Sequence, residues 1–433
     1  MRRLPCPAGL FLFVAASVVS PGSAAGFVAG ADFSHLAFFE SLGVIYRRAG
    51  QPQDGLAILK EQGLNCVRLR LFTSSAAQAQ ADPYNYVNNL DYTLPLARRV
   101  KNAGLGFMLD FHYSDTWADP GHQRKPAAWA SLTFPQLLEQ VRQYNSNSIA
   151  TFREAGVMPD YVQVGNEITG GLLWPDGQVG GANDTAAQWS KLAQLLTNAV
   201  AGIRDAAGAL MPKVVVHIDR GGDWAGTQWF FDHLTQEQVP FDVIGESYYP
   251  FWHGSLEDLR SCLSNAAVRY QKPVMVMETA FPWSNWTNIF GIPASPAGQV
   301  DYVAELAQVV RGVAGGMGVG VLWWGAEYQA VSGQNLAGFD TKSFFDNGGN
   351  VLPVAEAVGE LAAPLKVEAS MANGMVALSW PLSGAGSSLT MATNFAETCS
   401  WLTVTDAVQR TGTKYSVTLP IADSSCFFRL QSK

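Results

Sequence analysis

Between Phe27 and about Ala363 the hydrophobicity of the chain keeps one rhythm. A short apolar run rich in β-branched residues is followed by a longer stretch in which apolar positions recur at helical spacing. That is the signature of strand–helix units around a parallel sheet. The runs predicted as strands are Phe27–Asp32, Cys66–Phe72, Gly106–His112, Tyr161–Glu167, Val214–Asp219, Phe241–Tyr249, Val274–Phe281 and Gly320–Glu327. Helical spacing between them marks Gly55–Gln62, Asp91–Asn102, Thr185–Ala207, Leu256–Tyr270 and Val300–Val313. Eight such units predict an α/β fold, a closed (β/α)8 TIM barrel with enlarged loops. A doubly wound open sheet is the alternative, and the count of eight favours closure.

The predicted strands turn polar at one end. Asp32, Arg70, His112, Glu167, Asp219, Tyr248, Glu278 and Trp324 stand at or beside the C-terminal ends of the eight runs, one per run. Active sites of such barrels are built at that end. Past Ala363 the rhythm breaks. Ala362-Ala363-Pro364 reads as a hinge, and the runs Met375–Trp380, Ser388–Thr393, Trp401–Thr405, Tyr415–Leu419 and Cys426–Leu430 alternate with turn residues. They predict a small C-terminal all-β domain, sandwich-like, over 364–433, with sugar binding, surface anchoring and an inert appendage all open as its role.

The chain begins with Arg2 and Arg3, an apolar run from Leu10 to Val19, and the small residues Ser23-Ala24-Ala25. This predicts a secretory signal peptide over 1–25 with export to the medium or the periplasm. The run is shorter than the roughly 20 apolar residues of a membrane span, and no later segment is long and apolar enough to span a bilayer. The net charge is −8, and losing the leader's two arginines makes it more negative. An acidic chain without a basic cluster excludes nucleic acid and anionic membranes as expected partners. Aromatic residues make up 11% of the chain, enough for cores and for flat sugar platforms alike. Of five cysteines Cys6 leaves with the leader; Cys66 and Cys262 are expected as buried thiols, and Cys399 with Cys426 as a disulfide.

Cleavage of a glycosidic bond needs two carboxyl groups, one protonated and one ionised. Glu167, in Val-Gly-Asn-Glu, and Glu278, in Val-Met-Glu-Thr, end the fourth and seventh strands, which face each other across an eight-stranded barrel. The competing interpretation is that each is a structural ion pair. Asn166 is placed to bond a sugar hydroxyl. Arg70 shares a face with Arg68 and is expected beside Glu278, holding it ionised, with Arg68 structural. Tyr248 or Tyr249 would supply a second hydrogen bond to Glu278. Glu167 needs the opposite tuning, from partial burial or from the neighbouring carboxylate. His112 and His217, with Asp110 and Asp219, invite a metal interpretation. Their separate strands form no ligand motif, so contacts to sugar hydroxyls or to Glu167 are preferred and no metal or cofactor is expected.

Several blocks are more specific. Gly30-Ala31-Asp32-Phe33-Ser34, Asn65-Cys66-Val67-Arg68-Leu69-Arg70, Ser114-Asp115-Thr116-Trp117-Ala118-Asp119-Pro120, Val164-Gly165-Asn166-Glu167-Ile168, Gly171-Leu172-Leu173-Trp174-Pro175 and Ser247-Tyr248-Tyr249-Pro250-Phe251 occur in order. In these the chain resembles family 53 glycoside hydrolases over Gly30 to about Val358. The resemblance implies endo-hydrolysis of β-1,4-galactan, as in pectin side chains, with retention, Glu167 as acid/base and Glu278 as nucleophile. It suggests Trp117, Trp174 and Trp324 as sugar platforms and adds Asp115 to the supporting residues. Two features depart from the family: Gly325-Ala326 stands where Glu-Pro is usual, and the segment after Glu278 lacks the acidic insertion that binds calcium in some members. A monomer acting on a polysaccharide is expected. The alternatives are a retaining hydrolase of β-mannan or β-glucan on the same fold, and a carbohydrate-binding protein without activity.

Overall fold

The computed structural model describes residues 26–392, 400–420 and 426–431. The expected leader, and Cys399 with its expected disulfide, lie outside the described residues. The eight predicted strands are present as β1 (Val28–Asp32), β2 (Cys66–Leu71), β3 (Gly106–Phe111), β4 (Tyr161–Val164), β5 (Lys213–Ile218), β6 (Val243–Ser247), β7 (Val274–Thr279) and β8 (Gly318–Trp323). Each pairs in parallel with the next, and β8 closes on β1 with Val28 opposite Gly320.

Alternation along each strand divides its side chains between two cores. Val28, Cys66, Met108, Val215, Met275, Met277 and Leu322 fill the barrel interior. Their sequence neighbours, such as Ala29, Val67, Phe107, Val214, Val276 and Val321, pack outward in the larger core shared with the helices. Strand β7 breaks the alternation. Its pairing with β6 skips from Val276 to Glu278, an irregularity of the bulge kind that leaves Met277 as the extra residue. Met275 and Met277 both lie in the inner cluster, so simple alternation would aim Glu278 outward. The skip returns it to the interior, the re-aiming that bulges perform beside functional sites. Gly245 on β6 makes room, since a Cβ there would stand 2.5 Å from the Met277 Cγ.

Helices Gly55–Glu61, Leu90–Asn102, Ala186–Ala207, Leu256–Tyr270 and Pro296–Arg311 occupy the predicted places. Asp54, Asn89, Thr185, Ser255 and Ser295 cap them, each accepting a first-turn backbone N–H, worth about 1 kcal/mol apiece. Phe134–Glu154 and Trp224–Gln236 complete the ring of long helices.

Beyond Ala363 two antiparallel sheets form, one of Glu368–Ala372, Met375–Pro381, Lys414–Pro420 and Gln409–Thr411, the other of Leu402–Thr403, Ser388–Ala392 and Phe427–Gln431. They do not hang free. Leu378, Trp380, Leu389 and Val417 belong to the same buried cluster as the barrel's outer core. Gln308 donates to the Tyr415 hydroxyl at 2.6 Å, and Arg410 pairs with Asp301 at 2.5 Å. No helix among the described residues is long and apolar enough to cross a membrane.

Candidate active site

Glu167 and Glu278 face each other across the C-terminal mouth of the barrel, with an oxygen of each within 4.8 Å of the other. Glu278 is inside β7, and Glu167 lies three residues past β4, where its left-handed backbone (φ 48°) turns the chain into the loop. Beneath them lies Arg68, fully buried on β2. Its guanidinium donates to Glu278 Oε1 at 2.8 Å, Asp32 Oδ2 at 3.1 Å, Asp110 Oδ2 at 2.8 Å, Asn166 Oδ1 at 2.7 Å and Gln163 Oε1 at 3.1 Å. Five N–H groups thus meet five acceptors, the full capacity of an arginine. Tyr249 donates to the other oxygen of Glu278 at 2.9 Å.

The two glutamates are tuned apart. Burial pushes both above the usual carboxylate range, but at Glu278 the Arg68 charge and the Tyr249 hydrogen bond oppose it. Glu167 has no cation within bonding distance, and after burial the Glu278 charge raises it further. A single proton shared by the pair therefore resides on Glu167.

A hydrogen-bonded chain supports Glu167 from behind. Its Oε1 is 2.6 Å from Ser247 Oγ, which is 2.8 Å from His217 Nε2. His217 Nδ1 is 3.2 Å from Asn166 Oδ1, and Asn166 Nδ2 donates to the Ala118 carbonyl at 2.8 Å. His112 accepts the Ala118 N–H at Nδ1, which assigns its Nε2–H to Asp110 at 3.0 Å. Burial lowers the pKa of both histidines, so they are neutral.

The cleft above measures about 450 Å3. Tyr84, Asn85, Trp117, Trp324, Phe339 and Trp252 line it, with the Trp117 and Trp324 rings 6.2 Å apart, and Trp252 is 64% exposed. Arg70 lines it too, stacked 4.2 Å from the Trp117 ring. Asn85 accepts from Trp117 Nε1 at 3.1 Å and fixes that indole.

One sequence expectation changes here. Arg68, not Arg70, holds Glu278; Arg70 bonds His35 at 2.7 Å and pairs with Asp32 at 3.6 Å. Both point inward, but only Arg68 lies deep enough to reach all four surrounding strands from below. Of the two tyrosines left open, Tyr249 bonds the glutamate, while Tyr248 donates to the Gly254 carbonyl. Tyr248 and four other expected residues stand outside the cleft lining, among them His217, which bonds Ser247 and Asn166 behind Glu167. Asp115 ties loops together, accepting from Thr73 and the Ala127 N–H. Trp174 donates to the Gly170 carbonyl, and Asp219 accepts from Thr169. His112, Trp117, Asn166 and Trp324 line it as expected. Ser247, Gln163, Tyr84, Asn85, Trp252 and Phe339 carried no sequence signal of their own, although Ser247 and Tyr249 share one specific block.

Glu167, His217 and Glu278 each offer an atom within 4.8 Å of the others, the spacing of a metal site. Their existing contacts work against that use. Both His217 nitrogens are engaged, and the Arg68 cation already lies 2.8 Å from Glu278. A second cation would have to displace it.

The family description "Glycosyl hydrolase family 53" matches residues 28–358. An arabinogalactan endo-β-1,4-galactanase of Humicola insolens is 38% identical over 309 residues, 68% of this chain and 88% of the relative. Its counterpart from Aspergillus niger is 35% identical over 304 residues, 67% and 83% of the two chains. The family 53 catalytic domain of Ignisphaera aggregans superposes with a TM-score of 0.70 at 33% identity, covering 82% of this chain and 100% of that domain. A fungal β-1,4-galactanase structure gives a TM-score of 0.69 at 34% identity over 77% of this chain and 99% of its own. With the barrel, the paired glutamates and a match that runs from β1 past β8, this chain belongs to glycosyl hydrolase family 53 and is a glycoside hydrolase.

Proposed function

We propose that the protein is an exported, retaining endo-β-1,4-galactanase acting on galactan such as that of pectin side chains. The observation that carries this is the unequal pair: Glu278 held by Arg68 and Tyr249, Glu167 raised and backed only by Ser247. In this reading Glu278 attacks the anomeric carbon while Glu167 protonates the departing oxygen. Glu167 then takes a proton from the water that releases the glycosyl-enzyme. The separation supports attack by the carboxylate itself. Retaining pairs stand about 5–5.5 Å apart, whereas inverting pairs need roughly 6.5–9.5 Å to hold a water between them.

The substrate rests on the family and on what its relatives hydrolyse, and export rests on the pattern of residues 1–25. Reducing-sugar release from galactan, mannan and carboxymethylcellulose tests the substrate; activity confined to mannan or cellulose would replace it with the sibling hydrolase, and no release from any would leave a binding protein. Early-time NMR of the products tests the mechanism. The β-anomer is expected first, and α-anomer first would remove Glu278 from the nucleophile's role.

A further inference from the structure

The hydrogen-bond chain behind Glu167 has a direction, and that direction follows from donor and acceptor chemistry alone. Arg68 has only donors, so the Asn166 atom 2.7 Å from its Nη2 is the carbonyl oxygen. The Ala118 carbonyl, 2.8 Å from the other end of that amide, requires the NH2 there and agrees. His217 Nδ1 therefore faces an acceptor at 3.2 Å and must carry the proton. A neutral imidazole protonated at Nδ1 offers a lone pair at Nε2. Ser247, 2.8 Å away, has one hydrogen and gives it to that lone pair. Its oxygen is then left to accept across the 2.6 Å contact with Glu167. Only a protonated carboxyl can donate there.

We propose that Ser247 and His217 are positioning residues that present Glu167 with a hydrogen-bond acceptor and so hold it in its acid form. The proposal rests on the reading of Glu167 as acid/base and deepens it. With Glu167 protonated, every atom of the chain is paired. With Glu167 ionised, the Ser247 hydroxyl must turn to the carboxylate, and the buried His217 Nε2 loses its only donor. The ionised state gains the Ser247 hydrogen bond only by leaving the buried Nε2 unpaired, and this cost offsets that gain and tips the chain towards protonation. Other charges facing Glu167 are Glu278 from β7, which also favours protonation, Asp219 after β5, which does the same, and Arg68 from β2, which opposes both. Tyr249 after β6 is neutral, its ionisation pushed far up by burial. His217 stays uncharged because it is buried beside Arg68.

Two measurements test this. In the wild-type protein, nitrogen NMR of the imidazoles reads the tautomer directly, with the His217 signals identified by their loss in His217→Phe. At the acid end of the activity plateau a protonated Nδ1 and a bare Nε2 are expected; a protonated Nε2, or a cationic ring, overturns the proposal. The second is the pH profile of kcat/KM on galactan. His217→Phe frees the Ser247 hydroxyl to donate to the carboxylate, so the alkaline limb should move down by about one pH unit, a tenfold change in the acid constant. Adding Ser247→Ala to that variant removes the freed donor and should move the limb back up. Cleavage of an aryl β-galactoside with a leaving group that needs no proton should fall far less than cleavage of galactan. A limb that stays put in a folded His217→Phe, or equal losses on both substrates, means a merely structural role and overturns the proposal. The underlying reading fails separately: if Glu167→Ala loses the aryl substrate as badly as galactan, Glu167 is not the acid, whatever the tautomer of His217.

Discussion

A guanidinium ringed by three carboxylates and shut off from water is a charge that cannot be removed without consequence, because each partner is then left buried and uncompensated. Arg68 is in that position, with Asp32, Asp110 and Glu278 within 3.1 Å. Arg68→Gln should lower stability by about 3–5 kcal/mol in chemical denaturation. It should also act on the reaction with a definite sign. In the proposed mechanism Glu278 must be ionised to attack, so activity falls as pH drops through its pKa. Without Arg68 that pKa rises, and the acid limb of kcat/KM moves to higher pH, whereas Arg70→Gln should leave it in place; an acid limb unmoved in Arg68→Gln would refute the assignment. Glu327 provides a second test on stability alone. Burial pushes its carboxyl up to about 8, with the Asp32 charge adding to this. A folded-state pKa above the unfolded one, near 4.5 for a glutamate, means that folding takes up a proton between those values. Stability from this group is full below about pH 4.5 and is lost as pH rises towards 8. Glu327→Gln, which mimics the neutral form, should therefore flatten the decline of melting temperature over that window; an unchanged slope would show that Glu327 is ionised in the fold. Two-residue spacing puts Arg68 and Arg70 on a common face but says nothing of depth, and depth is what separates their roles.

Strand β7 shows the same limit one scale up. Alternation of apolar residues made β7 legible as a strand, and its polar end marked Glu278 as a site residue. The skipped residue at Met277, on which the direction of Glu278 depends, has no pattern of its own. It arises from how β6 and β7 pair, with Gly245 giving Met277 its space. The strand ends were read too long for a related reason: the apolar run continues into loops that pack on the core, as at Phe281 and Tyr249, so hydrophobicity does not stop where hydrogen-bond pairing does. Five helices were found, but Trp224–Gln236 was not although Asp223 caps it, and Phe134–Glu154 carries Asn145 and Ser148 on its buried face, which breaks the apolar stripe. Gly245→Ala tests the element directly. The added methyl meets the Met277 Cγ at 2.5 Å, and overpacking of this kind costs about 1–3 kcal/mol. The shift should reach Glu278 and reduce kcat more than it changes KM. Met277→Ala in the Gly245→Ala background should restore part of the lost activity; a fully active Gly245→Ala would show that the bulge tolerates crowding and does not aim the glutamate.

At the scale of the whole molecule the eightfold repeat was enough to specify the barrel, because each unit buries its strand between the inner cluster and its own helix and no other closed arrangement of eight parallel units does so. What the repeat does not convey is how the last 70 or so residues meet it, since short alternating runs say which face of a sheet is buried but not against what. The structure provides the contact: Tyr415 against Gln308, Arg410 against Asp301, and Trp380 and Leu378 continuous with the core around the helix Pro296–Arg311. That helix follows β7, but on the outside of the barrel, and every residue lining the cleft precedes Leu352. Stability and chemistry should therefore respond differently to removal of the tail. A chain ending at Ala363 uncovers the outer face of Pro296–Arg311, so its melting temperature should fall by several degrees, as a loss of a few kcal/mol implies for a domain this large. Its kcat/KM on short soluble galacto-oligosaccharides, measured well below that lower melting point, should remain within about twofold of the full chain, since Arg68, Glu167 and Glu278 keep all their partners. Restoring the melting temperature by adding back the tail as a separate chain would locate the effect in the contact itself. A truncated protein that melts like the full chain would show that the shared core contributes nothing. One that is folded yet inactive would mean that the sheets beyond Ala363 reach the cleft through the barrel wall, and the separation of roles along the chain would have to be abandoned.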